Sequence, residues 1–140
     1  MKTRIAINGF GRIGRNLFRL LLNHPTIEVV AINDIADNKT MAHLVKYDSI
    51  HGVLNRKVSF SEDSISIDDK SYLFFHEREI KNLDWKSINV DIVIESTGKF
   101  KTFEEINQHI LAGAKKVILS APSEVDEIKT VVLGVNEHIL

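Results

Sequence analysis

Six residues near the amino terminus, Gly9-Phe10-Gly11-Arg12-Ile13-Gly14, constrain the fold more than any other feature of the chain. The pattern G-x-G-x-x-G is a weak signal alone, and its neighbours give it meaning. Arg4 to Ile7 is a short apolar run that ends at Asn8-Gly9, so it reads as a buried strand entering a turn. Arg12 to Asn23 follows, with Ile13, Leu17, Leu20 and Leu21 spaced to share one helical face, and Pro25 stops the helix. Ile27 to Asn33 is a second apolar, β-branched run and therefore a second strand. Strand, helix and strand in about thirty residues form a βαβ unit with parallel strands and a right-handed crossover.

In that setting each glycine has a task. Gly9 permits the tight turn after the strand. Gly11 has no Cβ, so the backbone can approach a pyrophosphate. Gly14 allows the helix to pack closely on the strand. The helix amino terminus, with its unsatisfied N–H groups, then faces the phosphates. Asp34 lies twenty residues past Gly14, at the end of the second strand, where a carboxylate accepts hydrogen bonds from the adenosine ribose hydroxyls. The same carboxylate repels a 2′-phosphate, which favours NAD over NADP as the cofactor. Arg4, Arg12 and Arg15 are near in sequence and serve the pyrophosphate or the surface equally well.

The rest of the chain continues the alternation. A helix is expected over Thr40 to Tyr47, with Met41, Leu44 and Val45 inward. Tyr47 to Gly52 reads as a helix end entering a loop. Val58 with Phe60, Ile65 with Ile67, and Tyr72 with Phe74 fit short antiparallel strands turning at Ser61-Glu62-Asp63 and Asp68-Asp69-Lys70, an insertion between parallel units. Asp91 to Glu95 is a further buried strand. Thr102-x-x-Glu105 is a capping box that opens a helix, and Gly113 closes it. Lys116 to Ser120 and Thr130 to Val135 are expected as two more strands. The fold class is α/β, a doubly wound and mostly parallel sheet with a small antiparallel insertion, in one domain of 140 residues.

Composition removes several other functions. A net charge of -1 gives no electrostatic case for nucleic acid or an anionic membrane. The longest apolar runs fall well short of the roughly 18 residues that span a bilayer, and Asn8-Gly9 ends the first one too early for a signal peptide. A cytoplasmic setting is the expectation. His24, His43, His51, His76, His109 and His138 include no close-spaced pair typical of a zinc site, so no metal is expected. The chain has no cysteine, which excludes a thiolate nucleophile within it.

Several stretches together resemble the glyceraldehyde-3-phosphate dehydrogenase family: Ile7 to Arg15, Val30 to Asp34, Lys46-Tyr47-Asp48-Ser49-Ile50-His51-Gly52, Glu77-Arg78-Glu79, Glu95-Ser96-Thr97-Gly98-Lys99-Phe100, Ser120-Ala121-Pro122 and Gly134-Val135-Asn136. They follow the family's order along essentially the whole chain. The resemblance implies a Rossmann-type domain that binds NAD through Gly9, Phe10, Gly11, Arg12, Ile13, Gly14, Asn33, Asp34, Arg78, Ser96, Thr97, Gly98, Phe100 and Ser120. In it Arg12 and Ile13 put their backbone at the pyrophosphate, and Arg78 and Phe100 lie around the adenine. Ser96, Thr97 and Gly98 line the groove, and Ser120 sits toward the nicotinamide.

The resemblance also implies what these residues lack. Family members are more than twice as long. Their cysteine thiolate attacks the aldehyde of glyceraldehyde 3-phosphate, a histidine of a second domain acts as base, hydride passes to the nicotinamide, and phosphate releases the acyl group. The expectation is therefore the NAD-binding half of such an enzyme, with the catalytic domain absent from this chain, no turnover by itself, and a homo-oligomeric parent. Erythrose-4-phosphate dehydrogenase, of the same fold and mechanism, and a non-catalytic nucleotide-binding module are the alternatives.

Overall fold

The computed structural model describes residues 1–123 and 125–140. The first βαβ unit forms as the sequence dictates: β1 at Thr3–Asn8, α1 at Arg12–Leu21 and β2 at Ile27–Asn33. The second helix, α2, spans Asn38–Lys46 and starts two residues earlier than expected because Asp37 caps it, accepting the Thr40 N–H. A two-stranded hairpin, β3 at Tyr47–Asp48 and β4 at Gly52–Val53, replaces the expected loop. Asp48 holds that turn by accepting the N–H groups of Ile50 and His51, and these bonds lower its pKa from 3.8 to about 2.

The meander follows as β5 at Val58–Phe60, β6 at Ser64–Ile67 and β7 at Lys70–Phe75. Its strands pair antiparallel with one another, as expected, and it also joins the main sheet. β7 runs parallel to β2, with Ala31 beside Leu73 and Asn33 beside Phe75, so the last strand of the insertion is the third parallel strand of the main sheet. A short 3-10 helix at Ile80–Asn82 leads across to β8 at Ile92–Glu95. Then come α3 at Phe103–Leu111, with the expected capping box, and β9 at Lys116–Leu119. The sheet order is β5-β6-β7-β2-β1-β8-β9. The chain winds outward from β1 through β2 to β7, then crosses to β8 and β9 on the other side. The reversal between β1 and β8 opens a crevice at their carboxyl ends.

Each face of the sheet carries its own core. On one face Ile5, Ile7 and Ile32 meet α1, α2 and the meander through Phe18, Val45, Ile65 and Tyr72. On the other, Ala6, Ala31 and Val93 meet Leu83, Trp85 and Ala114. Small residues in β1 and β2 on this second face leave room for the Trp85 ring. A fully buried side chain such as Ile7 contributes about 1.5–3 kcal/mol.

Two expectations change here. The inward face of α1 is Gly14, Leu17, Phe18 and Leu21, whereas Ile13 and Leu20 are 58% and 78% exposed. Phe18 displaces them because its ring fills the space between Phe10 and Tyr72 edge-on, at 5.5 and 4.8 Å. Thr130 to Val135 forms no strand. Gly134 takes a left-handed backbone, φ +82°, while the Asn136 side chain accepts the Val132 N–H and donates to the Thr130 carbonyl. Those local bonds use backbone groups that a neighbouring strand would need.

Candidate cofactor groove

The glycine loop leaves β1 and is clamped on three sides. The Phe10 N–H donates to Asp34 Oδ2 at 2.7 Å, and Arg15 Nη1 donates to the Phe10 carbonyl at 2.9 Å. The Ser96 hydroxyl, at the end of β8, donates to the Gly9 carbonyl at 2.7 Å. Gly9 has φ +95°, and a Cβ there would stand within 2.7 Å of the Ser96–Thr97 backbone. Side chains are excluded at Gly9 by both conformation and contact. A Cβ on Gly14 would collide with the Gly9 carbonyl, so this glycine lets α1 rest on its own loop. Gly11 is different: a Cβ there would meet nothing within 4 Å. Its bare backbone faces open space at the start of α1, where no side-chain cap is present.

A groove of about 190 Å³ opens at these strand ends. Gly9, Gly11, Asn33, Asp34, Arg78, Ser96, Thr97 and Phe100 all line it, so most of the expected residues meet in one place. Asp34 stands at the end of β2 with its carboxylate fixed by the N–H groups of Phe10 and Ala36, at 2.7 and 2.9 Å. Each carboxylate oxygen can accept a further bond. The acid is thus preoriented and still able to receive a pair of hydroxyls.

Other expected residues take different positions. Phe10 is fully buried, and only its backbone serves the loop. Asn33 lines the groove, but its amide is engaged by the protein: Nδ2 donates to Asn8 Oδ1 and the Glu77 carbonyl, and Oδ1 accepts the Glu77 N–H. It holds the loop that carries Arg78. Arg12 and Ile13 occupy the first turn of α1, exposed, and Gly98 is exposed beside Thr97. Ser120 is not part of the groove. It follows β9 and lines a separate cavity of about 480 Å³ with Val117, Pro122 and Val131.

Sequence reasoning passed over the polar layer below the groove. Asn8 and Glu95 are buried at the ends of β1 and β8, and His109 is buried on α3. The Asn8 amide donates to Glu95 at 2.6 Å, and His109 Nε2 lies 2.7 Å from the same carboxylate oxygen. The one available signal was a glutamate closing an otherwise apolar strand. Among the described residues no cluster of three or more His, Cys, Asp or Glu side chains could hold a metal ion. No helix of the described residues is long and apolar enough to cross a membrane.

Comparison with known proteins agrees with this geometry. Residues 3–103 match the family model described as glyceraldehyde 3-phosphate dehydrogenase, NAD binding domain. Glyceraldehyde-3-phosphate dehydrogenase of Geobacillus stearothermophilus is 51% identical over 137 residues, which is 98% of this chain and 41% of that protein. The Thermotoga maritima enzyme of the same name is 52% identical over 139 residues, again 98% of this chain and 41% of its own length. The chain therefore spans about two fifths of the length of the curated relatives it matches.

Proposed function

Because the chain belongs to the glyceraldehyde-3-phosphate dehydrogenase family, in the part that binds NAD, we propose that residues 1–140 form one NAD-binding domain serving the phosphorylating oxidation of glyceraldehyde 3-phosphate. The observation that carries this reading is the preoriented Asp34 carboxylate facing a glycine loop with open space at Gly11. Asp34 takes the adenosine ribose hydroxyls. The backbone of Gly11, Arg12 and Ile13 takes the pyrophosphate, with the partial positive charge of the α1 amino terminus behind it. Arg78 and Phe100 flank the adenine, and Thr97 and Gly98 close the groove beyond β8. Ser120 is assigned to the nicotinamide end by family resemblance alone.

The bound cofactor supplies a hydride acceptor. The residues of this chain bind and orient it and supply no nucleophile, since a thioester needs a thiolate and the chain has no cysteine. In this reading a thiolate outside these 140 residues attacks the aldehyde, and the parent protein is a cytoplasmic homo-oligomer that meets neither nucleic acid nor membrane. An assay of the pure chain with glyceraldehyde 3-phosphate, phosphate and NAD, followed at the NADH absorbance beside a binding titration, is expected to show binding without turnover. Activity that copurifies with the chain would overturn the assignment of the chemistry elsewhere.

A further inference from the structure

Glu95 is a buried carboxylate with no cation beside it. Its Oε1 accepts the Thr97 N–H at 3.1 Å and the Thr97 hydroxyl at 2.5 Å. Its Oε2 accepts the Asn8 amide at 2.6 Å and faces His109 Nε2 at 2.7 Å. The indole N–H of Trp85 reaches His109 Nδ1 at 3.0 Å. An indole only donates, so Nδ1 carries the lone pair and Nε2 the proton. His109 is then a neutral donor to Glu95, and the carboxylate is surrounded by four neutral donors.

A well-packed apolar residue is commonly no worse for stability than a buried charge, so a charge here calls for a task. Its partners supply one. Thr97 is a wall of the groove, and Asn8 closes β1 beneath it. Asn8 Oδ1 in turn accepts from Asn33 at 2.8 Å, and Asn33 brackets the Glu77 backbone next to Arg78. One carboxylate thus sets the spacing of three strand ends and the loop after a fourth.

We propose that Glu95 is the positioning residue of the dinucleotide groove, its carboxylate oriented from below by His109 and Trp85 and holding Thr97 and Asn8 at the spacing the cofactor needs. This rests on the NAD reading of the groove. It also explains why the residue is an acid and not an amide. A glutamine turned with its NH2 toward Thr97 meets an N–H. Turned the other way it meets Asn8 and His109, and a change of tautomer at His109 would set Nδ1–H against the Trp85 N–H.

The chain has a single tryptophan, so its one indole N–H resonance reports the buried end of the network. Trp85 is fully buried and does not line the groove. Titrating NAD into the unaltered chain is expected to shift that resonance with the dissociation constant that calorimetry gives. Glu95→Gln is expected to lower NAD affinity at least about tenfold, the equivalent of one charge-assisted hydrogen bond, and to abolish the shift. Trp85→Phe, which removes only the lowest donor, is expected to lower affinity about two- to tenfold. An indole resonance that ignores NAD, or full affinity in either variant when folded, overturns the inference alone. If neither variant folds, the indole titration of the unaltered chain decides. No NAD binding by the unaltered chain overturns the groove reading and this inference with it.

Discussion

Two helices of this molecule begin in opposite ways. α3 is closed at its start: the Thr102 hydroxyl accepts the Glu105 N–H, and the Glu105 carboxylate accepts the N–H groups of Lys101 and Thr102. Glu104 and Glu105 also place negative charge on its first turn. α1 is left open. Its N-cap is Gly11, with no capping side chain and no acid in the first turn. Both starts have the same unsatisfied N–H groups and the same partial positive charge. One helix satisfies them from its own sequence, at a gain in stability. The other gives up that gain and keeps its N–H groups available to an anion. The open start of α1 lies beside open space at Gly11 and the fixed Asp34 carboxylate, and that combination supports the proposed cofactor site.

Closing α1 is the most damaging way to break this contrast. Gly11 has an ordinary φ of −73° and open space at its Cβ position, so Gly11→Asp fits the backbone and caps the helix. It is expected to leave the fold intact, while its carboxylate occupies the phosphate position. NAD affinity measured by calorimetry should then fall more than about a hundredfold, on the order of 3 kcal/mol. Gly14→Ala tests the support of that open start. Its Cβ would strike the Gly9 carbonyl, so denaturant unfolding is expected to show a loss of about 1–3 kcal/mol, with weaker NAD binding as the loop moves. Opening α3 with Thr102→Ala is milder. It should cost about 0.5–2 kcal/mol of stability and change NAD affinity far less than Gly11→Asp does.

The smallest effect separates the two starts by pH. Backbone N–H groups of Thr102 and Lys101 hold the Glu105 carboxyl below its ordinary value of 4.5. A lowered folded pKa adds stability above the unfolded value and loses it as pH falls through the folded one. Amide exchange at Lys101, Thr102 and Glu105 is therefore expected to accelerate as pH drops below about 4.5, after correction for intrinsic rates, while the first turn of α1 shows no such step. Equal acid sensitivity at both starts would remove the distinction.

The features legible in the sequence were the local ones. The glycine loop, Asp34 and the α3 capping box each depend on residues close in the chain or at a fixed offset through one βαβ unit. The antiparallel pairing of β7 with β6 was legible, but its parallel pairing with β2 was not, because the alternation of Tyr72 and Phe74 marks a strand's two faces and not which strand lies at its other edge. The face of α1 is not legible because Ile13 and Leu20 fit the helical period as well as Leu17 does, and only the aromatic contacts of Phe18 set the rotation. Thr130 to Val135 has strand composition, and Asn136 with Gly134 turns it locally instead. The Glu95 network was out of reach for another reason. Its members come from β1, β8, α3 and the segment before β8, and they meet only once the sheet is assembled.

If Asp34 and the open start of α1 together bind NAD, calorimetric titration of NAD and NADP into the chain and into Asp34→Ala will detect it. One NAD per chain and weaker binding of NADP are expected. Asp34→Ala is expected to lose about 1.5–3 kcal/mol of NAD binding, roughly ten- to a hundredfold, with the preference over NADP reduced at the same time. Equal affinity for the two cofactors, or an Asp34→Ala chain that binds NAD as the unaltered one does, would contradict such a site.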